Sequence, residues 1–413
     1  MGTAKTTQQH VTRRSLLKGI GYGLLTWQTD VLFRQNRAHA QIAGREIKVI
    51  DLKGEHPGVP TLMPDDRTLV SVNQESSNLS LVDMKSYKLI DTISLSGKRE
   101  PWEIAFTPSG KLGFVSHSAF DGDQQKKSFV TVVDMKGRKE IKQIPVGLRP
   151  NGVAVDKKGQ WAFVANMGSN SVSVISVDDL KVVEEIKVGR SPFDLAVTPD
   201  NRELLVVNFY DSSLSVISLD NFEVLDVIPT GTPGLDDPYP EFGGGDSCQI
   251  AVHPETGKAY VSNYRTHEIA VVDMKKRRVE KRIPTVKYPF GMSIAPQNNL
   301  LSVLSGESRK LGIIDLGVSK ALSNTLKSRG EPLSEAEKKE LEAIAAAENT
   351  MIETIPLGKG GGKPPLRIPG TRAKNVTYSH VDPLRGFLYV IPAVPDAQIF
   401  GVQVAESSSN AGA

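Results

Sequence analysis

Cations recur at one slot of this sequence. The segments "GKREPW", "GLRPN", "GRSPF" and "VKYPF" place Arg99, Arg149, Arg190 and Lys287 one or two residues before a proline that opens an apolar run. Arg265 and Arg309 fall in a second class of short polar loop, and His56 and His117 are expected on the same face as these loops. Guanidinium and ammonium groups that converge hold carboxylates, phosphates or acidic protein patches. These eight residues are the candidate ligand-binding set, with an anionic small molecule or a protein partner as the expected ligand. Acids stand close by in sequence, among them Glu55, Glu100, Glu103, Asp121, Asp123, Asp236, Asp237 and Glu241. They offset part of the charge.

Other chemistries find little support. "GKGGGK" has the wrong Gly-to-Lys spacing for a phosphate loop, and Pro364 stands where a Ser or Thr is needed. No G-x-S-x-G presents a nucleophilic serine. The histidines at 56, 117, 253, 267 and 380 show no ligand spacing, and "DGD" at 121–123 and "DDPYPE" read as turns. Cys248 is the single cysteine, so there is no internal disulfide and no C-x-x-C-H for haem. A lone cysteine of this kind is expected as a small buried hydrophobe. No catalytic residue, metal or cofactor is expected.

The charge balance depends on the first 40 residues. "TRRSLLKG" is followed by a short apolar segment and by Ala38-His39-Ala40, a small-x-small cleavage pattern before Gln41. This resembles a bacterial twin-arginine export signal, which implies a periplasmic protein. The apolar run is too short and interrupted to span a membrane. Six of the 50 Lys/Arg and one of the 47 Asp/Glu lie in this leader, leaving a mature net charge of −2. Nothing global then favours nucleic acid. The sequence carries no signal for an oligomeric state.

The elements that must position the cations come from a repeat. Apolar runs open at Pro57, Pro101, Pro150, Pro192, Cys248, Pro289 and Lys374, and the clean intervals are 41 to 49 residues. Within 150–191, "GVAVD", "WAFVAN", "SVSVISV" and "KVVEEIKV" read as four strands punctuated by Gly, Asp and Asn. Four strands per unit of about forty residues predict a β-propeller. The last unit has three strands, and "REIKVIDLKG" near the start supplies the fourth, which closes the ring and removes its edges. The expectation is an all-β, seven-bladed β-propeller over 41–405. A helical insertion over 318–350 in blade six carries Ser334 and Glu337 as a capping box, and a tail follows over 406–413. In such a ring the loops entering each inner strand share one face, the top, with the loops between second and third strands.

"FVAN" at 163, "LVVN" at 205, "YVSN" at 260 and "VSVN" at 70 resemble the bacterial β-propeller repeat family named for a Tyr-Val-Thr-Asn signature. "FVSH" at 114, "SVLS" at 302 and "YVIP" at 389 depart from it. The Asn is expected to end its strand by capping a tight turn. The resemblance implies an exported, non-catalytic binding propeller or an accessory subunit of a periplasmic redox system. Lactone-hydrolysing relatives imply an alternative, a lactonase-like hydrolase using His117, Arg149 and Arg190 with Glu103 or Asp194.

Overall fold

A computed structural model describes residues 47–52, 57–74, 76–96, 100–117, 128–231, 247–295, 300–305, 310–316, 351–356, 378–382, 387–391 and 398–403. The expected helix over 318–350, the leader and the tail lie outside these residues. Every element described is a β-strand, and the strands form four-stranded antiparallel sheets. No helix among the described residues is long and apolar enough to cross a membrane.

Six sheets are each built from four consecutive strands, and we call them blades one to six. Their inner strands are Pro57–Leu62, Pro101–Phe106, Pro150–Val155, Pro192–Val197, Ser247–Val252 and Pro289–Ala295. A further sheet joins the ends of the chain. Ile47–Asp51 pairs with Gln398–Gln403, which pairs with Phe387–Ile391 and then Tyr378–Asp382. Tyr378–Asp382 packs between the inner strands of blades six and one, and the blades described in full number six where seven are expected. The propeller core is described in the six blades; the closing sheet is described by its strand pairing.

Burial follows position in the blade. Second strands such as Trp161–Asn166 and Glu203–Asn208 are buried from their second residue onward. Both faces of each sheet pack on neighbouring blades, so these strands read as continuous apolar runs. Outer strands such as Lys139–Pro145 and Lys181–Lys187 are mostly exposed and anchored by one buried isoleucine, Ile144 or Ile186. Each described inner strand of blades one to six is bulged near its start, for example between Pro150 and Val153. A bulge leaves peptide groups outside the ladder, and these need other partners.

The recurring Asn works differently from the turn cap expected. Asn166 donates from Nδ2 to Ser171 Oγ (3.2 Å) and Ser173 Oγ (2.9 Å), and Asn208 to Ser213 Oγ (3.0 Å) and Ser215 Oγ (2.8 Å). The amide therefore stitches the second strand to hydroxyls of the third, inside the core. The left-handed geometry sits further along, at Asn170 and Ser212 (φ 52° and 47°). Gly147 and Gly189 complete the arrangement, because a Cβ at either would lie 2.6 Å from the Asn166 or Asn208 side chain.

Candidate functional site

Backbone hydrogen bonds put the two loop classes on one face, as expected. The amides of Met167 and Gly168 donate to the carbonyls of Arg149 and Leu148, and those of Phe209 and Tyr210 to Ser191 and Arg190. Under these loops lies one apolar cluster of Trp102, Met167, Phe193, Phe209, Cys248, Tyr264 and Phe290, with Val59, Tyr210 and Tyr288 packed against it. Trp102, Phe193 and Phe290 each follow the first residue of an inner strand and come from alternate blades. Phe193 meets Trp102 edge-on at 6.1 Å and Phe290 at 5.7 Å. Cys248 is fully buried in this cluster, as the sequence suggests.

The cations rest on that cluster in two corners. Arg149 has φ 52°, half-buries its side chain and lies beside Tyr210. Burial pulls its guanidinium below the ordinary value, with Tyr210 opposing. Tyr210 is followed by Asp211, which accepts from the Arg190 amide and from Nε, both at 2.6 Å. Arg149, Tyr210, Asp211 and Arg190 are thus one contiguous surface between blades three and four. The second corner holds Arg265 and the exposed Lys287. Here the Tyr288 amide donates to His267 Nδ1 (3.0 Å), and Tyr288 packs on the rings of His267 and Tyr264. His56, Arg99 and Arg309 lie outside the described residues.

His117 has a different place from the one expected. It is 2% exposed, with Nε2 at 2.8 Å from Thr131 Oγ1 and its ring tilted on Phe129. Val115 pairs with Thr131 as Val164 pairs with Ser173, so the His117–Thr131 bond repeats the Asn166–Ser173 bond of blade three. The histidine fills the slot of the signature Asn, in the core and not at the mouth. Replacing His117 by Asn, the side chain that other blades use there, is expected to cost within about 1 kcal/mol, because an amide restores the bond to Thr131. Urea denaturation of His117→Asn checks this, and a loss of several kcal/mol sinks the equivalence.

Two inner-strand acids face the axis. Asp194 Oδ2 accepts from the Ile250 amide of blade five (3.0 Å), and Oδ1 accepts from the Leu195 amide (2.8 Å). Glu103 accepts in the same way from the Val153 amide of blade three. Each carboxyl so satisfies a peptide group next to the bulge of the following blade. Gly152 stands between the two, where a Cβ would lie 2.9 Å from Asp194 Cα and Phe193 O. The missing side chain lets the inner strands of blades three and four approach closely here. Desolvation pushes Glu103 well above the carboxylate range, and the Asp194 charge adds to this. Desolvation raises Asp194 to about 6 against its two amide donors. Both side chains are partly accessible yet deeply enclosed, as groups lining an axial channel would be. Among the described residues no His/Cys/Asp/Glu group has metal-binding geometry.

Sequence reasoning names Glu103 and Asp194 but not their mutual influence, which arises between inner strands of different blades. It misses Tyr210 and Asp211 altogether. The signal for them is the loop "FYDS" between second and third strands, which sits next to "GRSP" by hairpin geometry.

No protein-family model matches the chain, and no curated protein matches it in sequence. Among solved structures, a chain of Kuenenia stuttgartiensis hydrazine synthase superposes with a TM-score of 0.59 at 18% identity, covering 83% of this chain and 94% of that one. At that identity the likeness shows the fold alone: this chain is an all-β propeller.

Proposed function

We propose that this chain is an exported, non-catalytic propeller of seven blades. It binds a protein partner or an anionic small ligand at its top face and serves as an accessory subunit of a periplasmic redox system. The observation that carries the binding reading is the Arg149–Tyr210–Asp211–Arg190 corner. It fixes two guanidinium groups and a phenol in one surface, braced by backbone bonds and by the aromatic cluster beneath. Half-buried Arg149 is held with little side-chain freedom left to lose, which favours binding. Arg265 and Lys287 extend the positive field, and Arg99, Arg309 and His56 join them by repeat position. Export rests on the twin-arginine leader and the Ala38-His39-Ala40 pattern. The closing sheet and the Tyr-Val-Thr-Asn-like strands support membership of that repeat family, with its seven blades.

The test reverses two charges in one corner. Protein carrying Arg149→Glu and Arg190→Glu is compared with wild type by calorimetry against small polycarboxylates and by capture from periplasmic extract. At least about a tenfold loss of affinity is expected, with wild-type binding weakened by salt. Equal retention of the same species by both proteins overturns the reading.

A further inference from the structure

The outer strands of the blades differ in one systematic respect. In blades one, two, three and five the strand opens on a cation opposite the end of the third strand. The pairs are Lys88 with Asp83, Lys139 with Asp134, Lys181 with Ser176 and Arg278 with Asp273. In blade four the same ladder position is Glu223, whose carbonyl accepts from the Ser218 amide. Two positions on, Leu225 is 52% exposed, a slot that is apolar and exposed in blades one to three too (Ile90, Ile141, Val183). What sets blade four apart is Val227, 51% exposed where the four blades named carry Thr92, Gln143, Glu185 and Arg282. The segment "DNFEVLDVIP" from 220 to 229 contains no Lys or Arg.

Propeller blades end in open edges, and charged residues, Lys above all, keep such edges from pairing with other chains. Blade four lacks that protection. It offers a short apolar edge flanked by Asp220, Glu223 and Asp226, none of which forms an ion pair among the described residues. The Val227 amide donates to the Asp226 carboxylate (2.8 Å), as the equivalent Thr92 amide does to Asp91 in blade one. That carboxylate holds a donor which an incoming strand would take over.

We propose that Val224–Pro229 is a docking edge, distinct from the top face, that takes an extended segment of a protein partner by strand addition. The charge pattern selects the occupant. Val227 takes an apolar side chain, with Leu225 beside it at the strand's bulge, and Asp220, Glu223 and Asp226 take cations, so the segment combines apolar and basic residues. Pro229 ends the pairing, which limits it to a short stretch.

The probe is a fluorescein-labelled peptide of four Lys-Val repeats, titrated into the full chain and followed by anisotropy. A second peptide of the same composition with its central valines replaced by proline keeps the charge and cannot pair along its backbone. Saturable binding of the first peptide is expected, weakened about tenfold or more by the proline peptide and by Leu225→Lys with Val227→Lys. Ile141→Lys with Val183→Lys, on other outer edges, serves as control and leaves binding unchanged. Circular dichroism melts confirm that both double variants fold. Equal binding of the two peptides, or binding insensitive to the blade-four variant, overturns the proposal. So does sedimentation showing a wild-type dimer that Leu225→Lys dissolves, since the edge would then belong to a second copy.

Discussion

Truncating Phe193 to alanine is expected to cost about 3–5 kcal/mol of folding free energy, among the largest losses for a single change in this chain. The reason is where the ring sits. Phe193 is 2% exposed and touches partners from three blades: Trp102 of blade two, its own blade's Phe209 and Phe290 of blade six. A phenyl ring removed there leaves a void between inner strands, which the bulged backbone cannot close by shifting. The edge-to-face pairs with Trp102 and Phe290 are lost as well, each worth about 1 kcal/mol beyond burial. Phe193→Leu should lose less, because it fills part of the volume. Guanidinium denaturation measures both, with Trp102 fluorescence as a local probe. Arg149 and Tyr210 rest on the same cluster, so binding at the top face should weaken in Phe193→Ala even where the protein remains folded. A loss under about 1 kcal/mol would show that the cluster is not the keystone its contacts suggest.

The strands of this fold are legible because they obey simple rules. Apolar alternation, β-branched residues and turn residues recur at a regular interval, and the lone N-terminal strand matches the three-stranded last unit. The roles of particular side chains are less legible. In sequence, Asn166 and Asn208 read as turn caps, since Asn is common in turns. Their amides instead reach hydroxyls two strand positions away across the sheet, a partner that local sequence does not reveal. His117 reads as a mouth residue because it breaks the signature. The register with Thr131 shows that it preserves the signature's bond. Distance from proline places Arg149 and Arg190 in one slot. They are offset by one residue, and they join only through Tyr210 and Asp211 of a neighbouring turn. Each difference arises from a contact between segments that spacing alone does not bring together.

The second large effect concerns pH. Glu103 and Asp194 both have folded-state pKa values above those of the unfolded chain, Asp194 at about 6 against an ordinary 3.8. The folded protein therefore keeps protons that the unfolded chain releases, and stability falls as pH rises through this window. Their contribution is fully present below about pH 4. It declines through about pH 6 as Asp194 ionises, and the ionisation of Glu103, raised in the same direction, adds to the decline. A difference of about two pH units for Asp194 corresponds to about 3 kcal/mol. Neutral amides remove the proton exchange but keep acceptors for the bulge. Glu103→Gln retains a carbonyl toward the Val153 amide, and Asp194→Asn retains one toward the Ile250 amide. The variant carrying both changes should therefore lose the decline and exceed wild-type stability at about pH 8. Urea denaturation of both proteins between about pH 4 and pH 8 measures the difference directly, and common contributions from surface groups cancel in it. Curves that run parallel across the range would mean that the two carboxyls do not titrate there. A convergence at low pH, with wild type falling away above about pH 6, would trace the cost to ionising the desolvated pair.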